Sequence, residues 1–142
     1  MKKIFSLLML VVMTISMATT ACSSTDRIDA EIRAYQKHLP EDLGDGMVMT
    51  NVAHEGNYIV YTAEYNESEF PISLISSEPA ILELLKAGVG AEILQSGDSD
   101  IQKLLELMRD ANMGMKYVII GLKTGEQAVI TFTPEEIQSA AD

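Results

Sequence analysis

Two Met-x-Met strings are the pattern in this sequence that most directly suggests chemistry. Met47 and Met49 form the first string, and Met113 and Met115 form the second. Because residues i and i+2 point to the same side of a β-strand, each string would present two thioethers together. Soft sulfur ligands suit Cu(I) and Ag(I), so one hypothesis is a periplasmic binder of these ions. The alternative is that the methionines fill gaps in the core, as methionine commonly does.

An acidic segment offers oxygen ligands for a second kind of ion. Residues 41–46 read Glu-Asp-Leu-Gly-Asp-Gly, and carboxylate and carbonyl oxygens are the ligands that Ca²⁺ prefers. The spacing differs from that of an EF-hand loop, so a solvated acidic loop is the expected interpretation. The carboxylate pairs Asp98 with Asp100 and Glu135 with Glu136 stand at predicted helix starts, where negative charge complements the helix dipole. We therefore expect no metal and no other cofactor.

The usual sequence signals of nucleophilic catalysis are absent. The single cysteine, Cys22, lies near the N-terminus, and the two histidines are His38, at a predicted helix end, and His54, beside a predicted hairpin turn. The sequence contains no Gly-x-Ser-x-Gly, His-Glu-x-x-His or Walker-type phosphate loop. We expect a protein with no catalytic residues and no enzymatic activity.

Three tyrosines are the candidate binding residues among the aromatic side chains. Tyr58, Tyr61 and Tyr65 lie on one predicted strand, on which Tyr58 alternates to the other side from Tyr61 and Tyr65. Exposed tyrosines could stack on a sugar or contact a protein partner. Tyrosines that cover the core would instead keep only their hydroxyl groups toward solvent, and this second arrangement is expected for Tyr61 and Tyr65.

The N-terminus has the pattern of an export signal. Lys2 and Lys3 precede an apolar run over residues 4–15, and the small residues of 18–21 follow. This order is that of the charged, apolar and cleavage regions of a secretory signal peptide. The apolar run is shorter than the roughly 20 residues that span a bilayer. We therefore assign residues 1–21 to a signal peptide that is removed.

Ala21 and Cys22 resemble the lipobox of bacterial lipoproteins, in which a small residue precedes the cysteine that receives lipid. Thr19 stands where that family usually has Leu. The resemblance implies that Cys22 carries acyl chains such as palmitate, which hold the protein on a membrane. Ser23 in the next position resembles sorting to the periplasmic face of the outer membrane. The alternatives are the outer face of a plasma membrane, and a soluble periplasmic protein if Cys22 is not acylated.

Charge limits the classes of partner. The 142-residue chain has 10 Lys and Arg against 21 Asp and Glu, and removal of the signal peptide takes away two lysines, which leaves a net charge of −13. Nucleic acids are bound by clustered Lys and Arg, so this composition argues against a nucleic-acid partner. An acidic surface would instead steer basic partners toward the protein.

The first half of the predicted domain contains a helix and a β-hairpin. The helix is predicted to begin at Thr25-Asp26 and to end before Pro40. The hairpin spans residues 47–66 and turns at Gly56-Asn57. Its predicted register pairs Val52 with Tyr61, Thr50 with Ala63 and Val48 with Tyr65. The face expected to be buried has six side chains, with Met47 and Met49 opposite: Val48, Val52, Ile59, Tyr61, Ala63 and Tyr65.

The second half contains two helical segments, a second hairpin and a last helix. The first segment begins near Pro79, and residues 89–94 are ambiguous between helix and loop because of two glycines. The hairpin turns at residues 123–125 and is expected to bury Val118, Ile120, Ala128, Ile130 and Phe132. Thr133 and Glu136 predict a capping box at the start of the last helix.

These elements predict one α+β domain over residues 26–142, joined to Cys22 by a tether at 22–25. The order is α-β-β-α-α-β-β-α, with a four-stranded, mainly antiparallel sheet built from two β-hairpins and helices packed on one side. In this layout residues 26–141 resemble small lipoproteins of unknown function from gut anaerobes related to the Bacteroidetes. The resemblance has no diagnostic motif and implies no active residues.

Three functional hypotheses follow. The first is a membrane-anchored cell-envelope lipoprotein that acts as a non-enzymatic binding or accessory module for an envelope protein or another envelope ligand. The second is an inhibitor-like protein that occludes a basic secreted enzyme such as a muramidase, because acidic surfaces attract basic ones. The third is the Cu(I) or Ag(I) binder.

Overall fold

The computed structural model describes residues 23–140, so the predicted signal peptide and Cys22 lie outside the described residues. The chain forms, in order, α1 (Ser24–Gln36), β1 (Glu41–Gly44), β2 (Met47–Glu55), β3 (Tyr58–Tyr65), α2 (Ser73–Ser76), α3 (Pro79–Leu94), α4 (Ser99–Ala111), β4 (Gly114–Gly121), β5 (Gln127–Phe132) and α5 (Pro134–Ser139). Within this range no helix is both long and apolar enough to span a membrane.

Helix α1 begins earlier than the sequence predicts. The Ser23 side chain is its N-cap and accepts a hydrogen bond of 3.1 Å from the backbone N–H of Asp26. This bond satisfies one of the donors that a helix start leaves unpaired. Ser24 and Thr25, predicted to form a tether, are therefore helical, and the folded domain begins directly after Cys22.

The strands form one mixed sheet in the order β1-β2-β3-β4-β5. The α+β prediction is confirmed, whereas the predicted four-stranded sheet is wrong in one detail. The segment expected to be an acidic loop contributes a fifth strand, β1, which pairs antiparallel with β2. Strands β3 and β4 pair in parallel, because the helices α2 to α4 connect them by a crossover rather than a hairpin turn.

A β-bulge in β2 changes the predicted register of the first hairpin. Val52 pairs with Tyr61, as predicted, but Ala63 pairs with Met49 rather than with Thr50. Two residues of β2 thus occupy the space opposite one residue of β3, and Thr50 is the extra residue. Every residue of β2 before the bulge therefore lies on the opposite face of the sheet from the one that the sequence predicts.

The bulge decides which residues near the start of β2 are buried. Met47 and Met49 are 1% and 0% exposed, although they were expected to lie opposite the core. Val48, expected in the core, is half-buried on the other face of the sheet. A shift of one residue exchanges the two faces of a strand because its side chains alternate.

Strand β4 also buries the face opposite to the one that the sequence predicts. Tyr117 and Ile119 are buried, whereas Val118 and Ile120, the predicted core residues, are only half-buried. Apolar residues run through this part of β4 without alternation, so the pattern cannot choose a face. The parallel pairing with β3 determines which face of β4 is buried, because it places Tyr117 beside the buried Tyr61. The predicted core residues of β5 are buried as expected: Ala128, Ile130 and Phe132.

The helices form one layer against the buried face of the sheet. Helix α1 contacts β2 and α4, α2 and α3 contact β5, and α5 contacts β4 and α4. Residues 89–94 belong to α3, which continues through both glycines. Gly90 lies against the ring of Phe132, since a Cβ at this position would be 3.1 Å from the ring. The predicted capping box of Thr133 and Glu136 is present at the start of α5.

Candidate interaction surface

The four methionines of the Met-x-Met strings lie in the core. Met47, Met49, Met113 and Met115 are each at most 2% exposed. In the sheet Met49 lies beside Ala63 of β3, while Met115 lies beside Ile59. The spacing of four residues along β3 separates the two strings by about 13 Å. Each string therefore packs in its own part of the core, as the gap-filling alternative describes.

Tyr61 and Tyr65 are core residues as well. The rings of Tyr61 and Tyr117 stack with centroids 5.0 Å apart. The hydroxyl of Tyr61 is buried and has no hydrogen-bond partner within residues 23–140, and burial raises the pKa of Tyr61. Its hydroxyl was expected to reach solvent, but the ring lies too deep under the helical layer. The Tyr65 hydroxyl accepts a hydrogen bond of 3.0 Å from the backbone N–H of Glu69.

Tyr58 lies on the opposite face of the sheet and is half-buried. The Nζ atom of Lys116 lies 4.3 Å from its ring centroid, which is the arrangement of a cation–π contact. Of the two histidines, His54 places its Nδ1 atom 2.7 Å from the Asp29 carboxylate, and His38 is exposed. Among residues 23–140, no group of three or more His, Cys, Asp or Glu side chains could hold a metal ion.

A buried carboxylate that the sequence analysis missed joins two distant loops. Glu67 is 6% exposed and accepts hydrogen bonds from the backbone N–H groups of Ile72, Lys123 and Thr124 at 2.8–2.9 Å. Burial by itself would raise the pKa of Glu67, but these backbone bonds and the Thr124 hydroxyl lower it. Gly121 permits this approach, because a Cβ there would be 2.4 Å from a Glu67 oxygen. In sequence, Glu67 resembles a solvated loop residue.

The face of the sheet away from the helices is covered by none of the described elements. We call it the open face. Most of its side chains are half-buried, apolar or β-branched, and they come from the alternate positions of β2 to β5: Val48, Ala53, Val60, Thr62, Glu64, Val118, Ile120, Val129 and Thr131. Val129 is 39% exposed, and Leu122, just beyond β4, is 57% exposed. Exposed apolar side chains on an uncovered face of a sheet are a feature of interaction sites.

A groove of about 730 Å³ lies at the end of the open face where β1 turns into β2. Apolar and acidic residues line it together, and we call it the acidic groove: Pro40, Asp42, Asp45, Val48, Glu64 and Leu122, with neighbouring polar residues. The Asp42 carboxylate accepts a hydrogen bond of 2.8 Å from the backbone N–H of Gly44, which shapes the turn. The acidic segment predicted as a loop thus forms one wall of a groove.

A second cavity of about 550 Å³ lies between α3 and α5. Nζ of Lys86 lies 2.9 Å from the Glu136 carboxylate and 5.7 Å from the Phe132 ring centroid. Partial burial would raise the pKa of Glu136, but bonds from Lys86 and Thr133 lower it. Glu136 also completes the capping box of α5. Lys86 and Glu136 therefore stabilise the start of this helix.

No protein-family model and no curated protein matches the chain. Its structure is similar to the crystal structure of a "putative secreted protein" from Pseudomonas aeruginosa, with a TM-score of 0.59 and 13% sequence identity. The match covers 80% of this chain and 92% of that one. At this level of identity the similarity shows the fold alone.

Proposed function

We propose that this protein is an exported, lipid-anchored envelope module that binds another envelope protein through the open face of its sheet, without catalysis. The open face is the observation that carries this proposal. Strands β2 to β5 present an extended surface with exposed apolar side chains such as Val129, and Leu122 follows directly after β4. Helices contact the opposite face of the sheet, so within residues 23–140 the open face is the face of the sheet that a partner can reach.

The sequence around Cys22 supports the anchor. A signal-peptide pattern precedes Cys22, and helix α1 begins at Ser24. An acylated Cys22 would hold the domain directly at the membrane surface, with no flexible linker. The word "secreted" in the description of the structural neighbour supports export. Intact mass of the protein extracted from membranes is the test, and an unacylated Cys22 would contradict the anchor.

Photo-crosslinking in intact cells tests the binding surface. Benzoylphenylalanine is placed at Val118 or Val129 on the open face, and at Leu84 as a control that is 64% exposed on helix α3. We expect the same identified protein to crosslink from both open-face positions and not from Leu84. Crosslinking from Leu84 alone, or from no position in all growth conditions, would contradict the proposal.

An inhibitor of a basic secreted enzyme, such as a muramidase, is the second candidate. The acidic groove favours it, because carboxylates on an open surface attract a basic partner. Adding the purified protein to a muramidase assay is the direct measurement. Inhibition at a one-to-one ratio would favour the inhibitor over the envelope module, and unchanged lysis would remove it.

A further inference from the structure

We propose that the acidic groove binds a basic segment of a partner protein, with a Lys or Arg side chain at Glu64 and an apolar side chain of the same segment against Val48 and Leu122. The inference rests on the proposed function and names the chemistry of its partner. It follows from three features of the groove: an unpaired carboxylate among apolar residues, the sign of the charge, and the exposed apolar lining.

Glu64 is the central feature, because its carboxylate stands among apolar side chains. Its neighbours on the adjacent strands are Val48 of β2 and Ile120 of β4, and the residue is half-buried on the open face. Within residues 23–140, no hydrogen bond or ion pair engages the Glu64 carboxylate. The Glu64 carboxylate is therefore available to an ammonium or guanidinium group of a partner, which would form a charge-assisted hydrogen bond with it.

The groove has charge of one sign. Asp42, Asp45 and Glu64 line it, and none of its described lining residues is Lys, Arg or His. Lys116, on the same face of the sheet, is held over the Tyr58 ring and does not line the groove. The charge complementary to this lining is therefore positive, and a basic partner would meet no repulsion there.

The apolar lining distinguishes a protein segment from a free cation. Val48, Pro40 and Leu122 form part of the groove, and Leu122 is 57% exposed. A hydrated metal ion would leave this apolar surface in water, and a polyamine, which has no apolar side chain, would cover less of it than a peptide segment. The long alkyl stem of Lys or Arg covers apolar surface while its charged head reaches a carboxylate, and a neighbouring apolar side chain would cover the rest.

Fluorescence anisotropy with defined peptides tests the inference. The probe is a fluorescein-labelled decapeptide of alternating Arg and Leu, and its control has Gln in place of every Arg. The protein is the full mature chain, purified in a neutral detergent. We expect the Arg peptide to bind, and Glu64→Gln to weaken binding about tenfold, which corresponds to roughly 1.4 kcal/mol. Leu122→Ser is expected to weaken it as well.

Glu106→Gln is the matched control variant. Glu106 is exposed on helix α4, on the far side of the sheet, so this change removes the same charge from outside the groove. Thermal unfolding shows whether each variant is folded. An equal loss for Glu64→Gln and Glu106→Gln would overturn the inference, because the peptide would then respond to net charge. Displacement of the peptide by equimolar spermine or Ca²⁺ would overturn it too, since the groove would then bind a free cation.

The proposed function and the inference about the acidic groove can be contradicted independently of each other. If Glu64→Gln leaves peptide affinity unchanged while Val118 and Val129 still crosslink to one partner in cells, the groove inference is wrong and the open face remains the binding surface. If Glu64→Gln also abolishes those in-cell crosslinks, while Glu106→Gln preserves them, the groove is the part of the open face that the partner requires.

Discussion

The Glu67 carboxylate accepts a hydrogen bond of 2.8 Å from the backbone N–H of Thr124, which lies 57 positions later in the chain, and another from its hydroxyl at 3.1 Å. These hydrogen bonds link the segment after β3 to the turn between β4 and β5. The parallel pair of β3 and β4 has no hairpin turn to join it, so Glu67 supplies a connection at the end of the two strands.

Replacement of Glu67 by Gln is expected to lower the melting temperature. A neutral amide forms weaker hydrogen bonds than a carboxylate, and its NH₂ group cannot accept from the backbone donors of the turn. Circular dichroism melting curves provide the measurement, with Glu69→Gln as control, because Glu69 is exposed and lies two residues away. An equal effect of the two substitutions would show that Glu67 contributes only its charge.

The contribution of Glu67 should depend on pH in a defined direction. Its pKa in the folded protein is lowered from the ordinary value of 4.5, so folding favours the ionised form. The stabilisation is complete above pH 4.5 and is lost as the pH falls through the lower, folded pKa. Urea unfolding of the wild type and Glu67→Gln from pH 7 to pH 3 should therefore show a stability difference that shrinks in acid. A constant difference would contradict this assignment.

Met49 is expected to act as a core residue and not as a metal ligand. Met49→Ala should cost roughly 2–5 kcal/mol of unfolding free energy, because it leaves a cavity in the core, whereas Met49→Leu should cost less than about 1.5 kcal/mol. Urea unfolding measures both. In parallel, titration of Cu(I) against a chelator should detect no tight site in the folded wild type. Tight binding that Met49→Leu abolishes would restore the copper hypothesis.

Gly46, in the β1–β2 turn, is expected to tolerate no side chain without a loss of stability. Its φ is +82°, and a Cβ would be 2.3 Å from the Asn66 side chain. Gly46→Ala should therefore destabilise the protein by about 1–3 kcal/mol. Gly125 has φ +73° and no atom near its Cβ position. Gly125→Ala therefore measures the cost of backbone strain without a steric clash. Gly97→Ala, which has neither feature, should change the urea midpoint little, and a comparable loss there would contradict the argument.

The candidate surface could be predicted only in part from the sequence. Residues 41–46 stand out as acidic in any inspection of the sequence, but Glu64 and Leu122 do not. The acidic groove exists because the β1–β2 turn, the end of β3 and the end of β4 meet at one edge of the open face. The proximity of these three segments depends on the strand order of the sheet, which local sequence patterns do not specify.

Features that depend on neighbouring residues were determined by the sequence itself. Apolar segments separated by turn residues predicted both hairpins, and the Thr133–Glu136 pair predicted the start of the last helix, because these signals act within a few residues. Only the tertiary structure decided the rest. The bulge at Thr50, the buried face of β4 and the place of Glu67 all depend on which distant strand lies alongside, where packing of the whole core selects among locally equivalent arrangements.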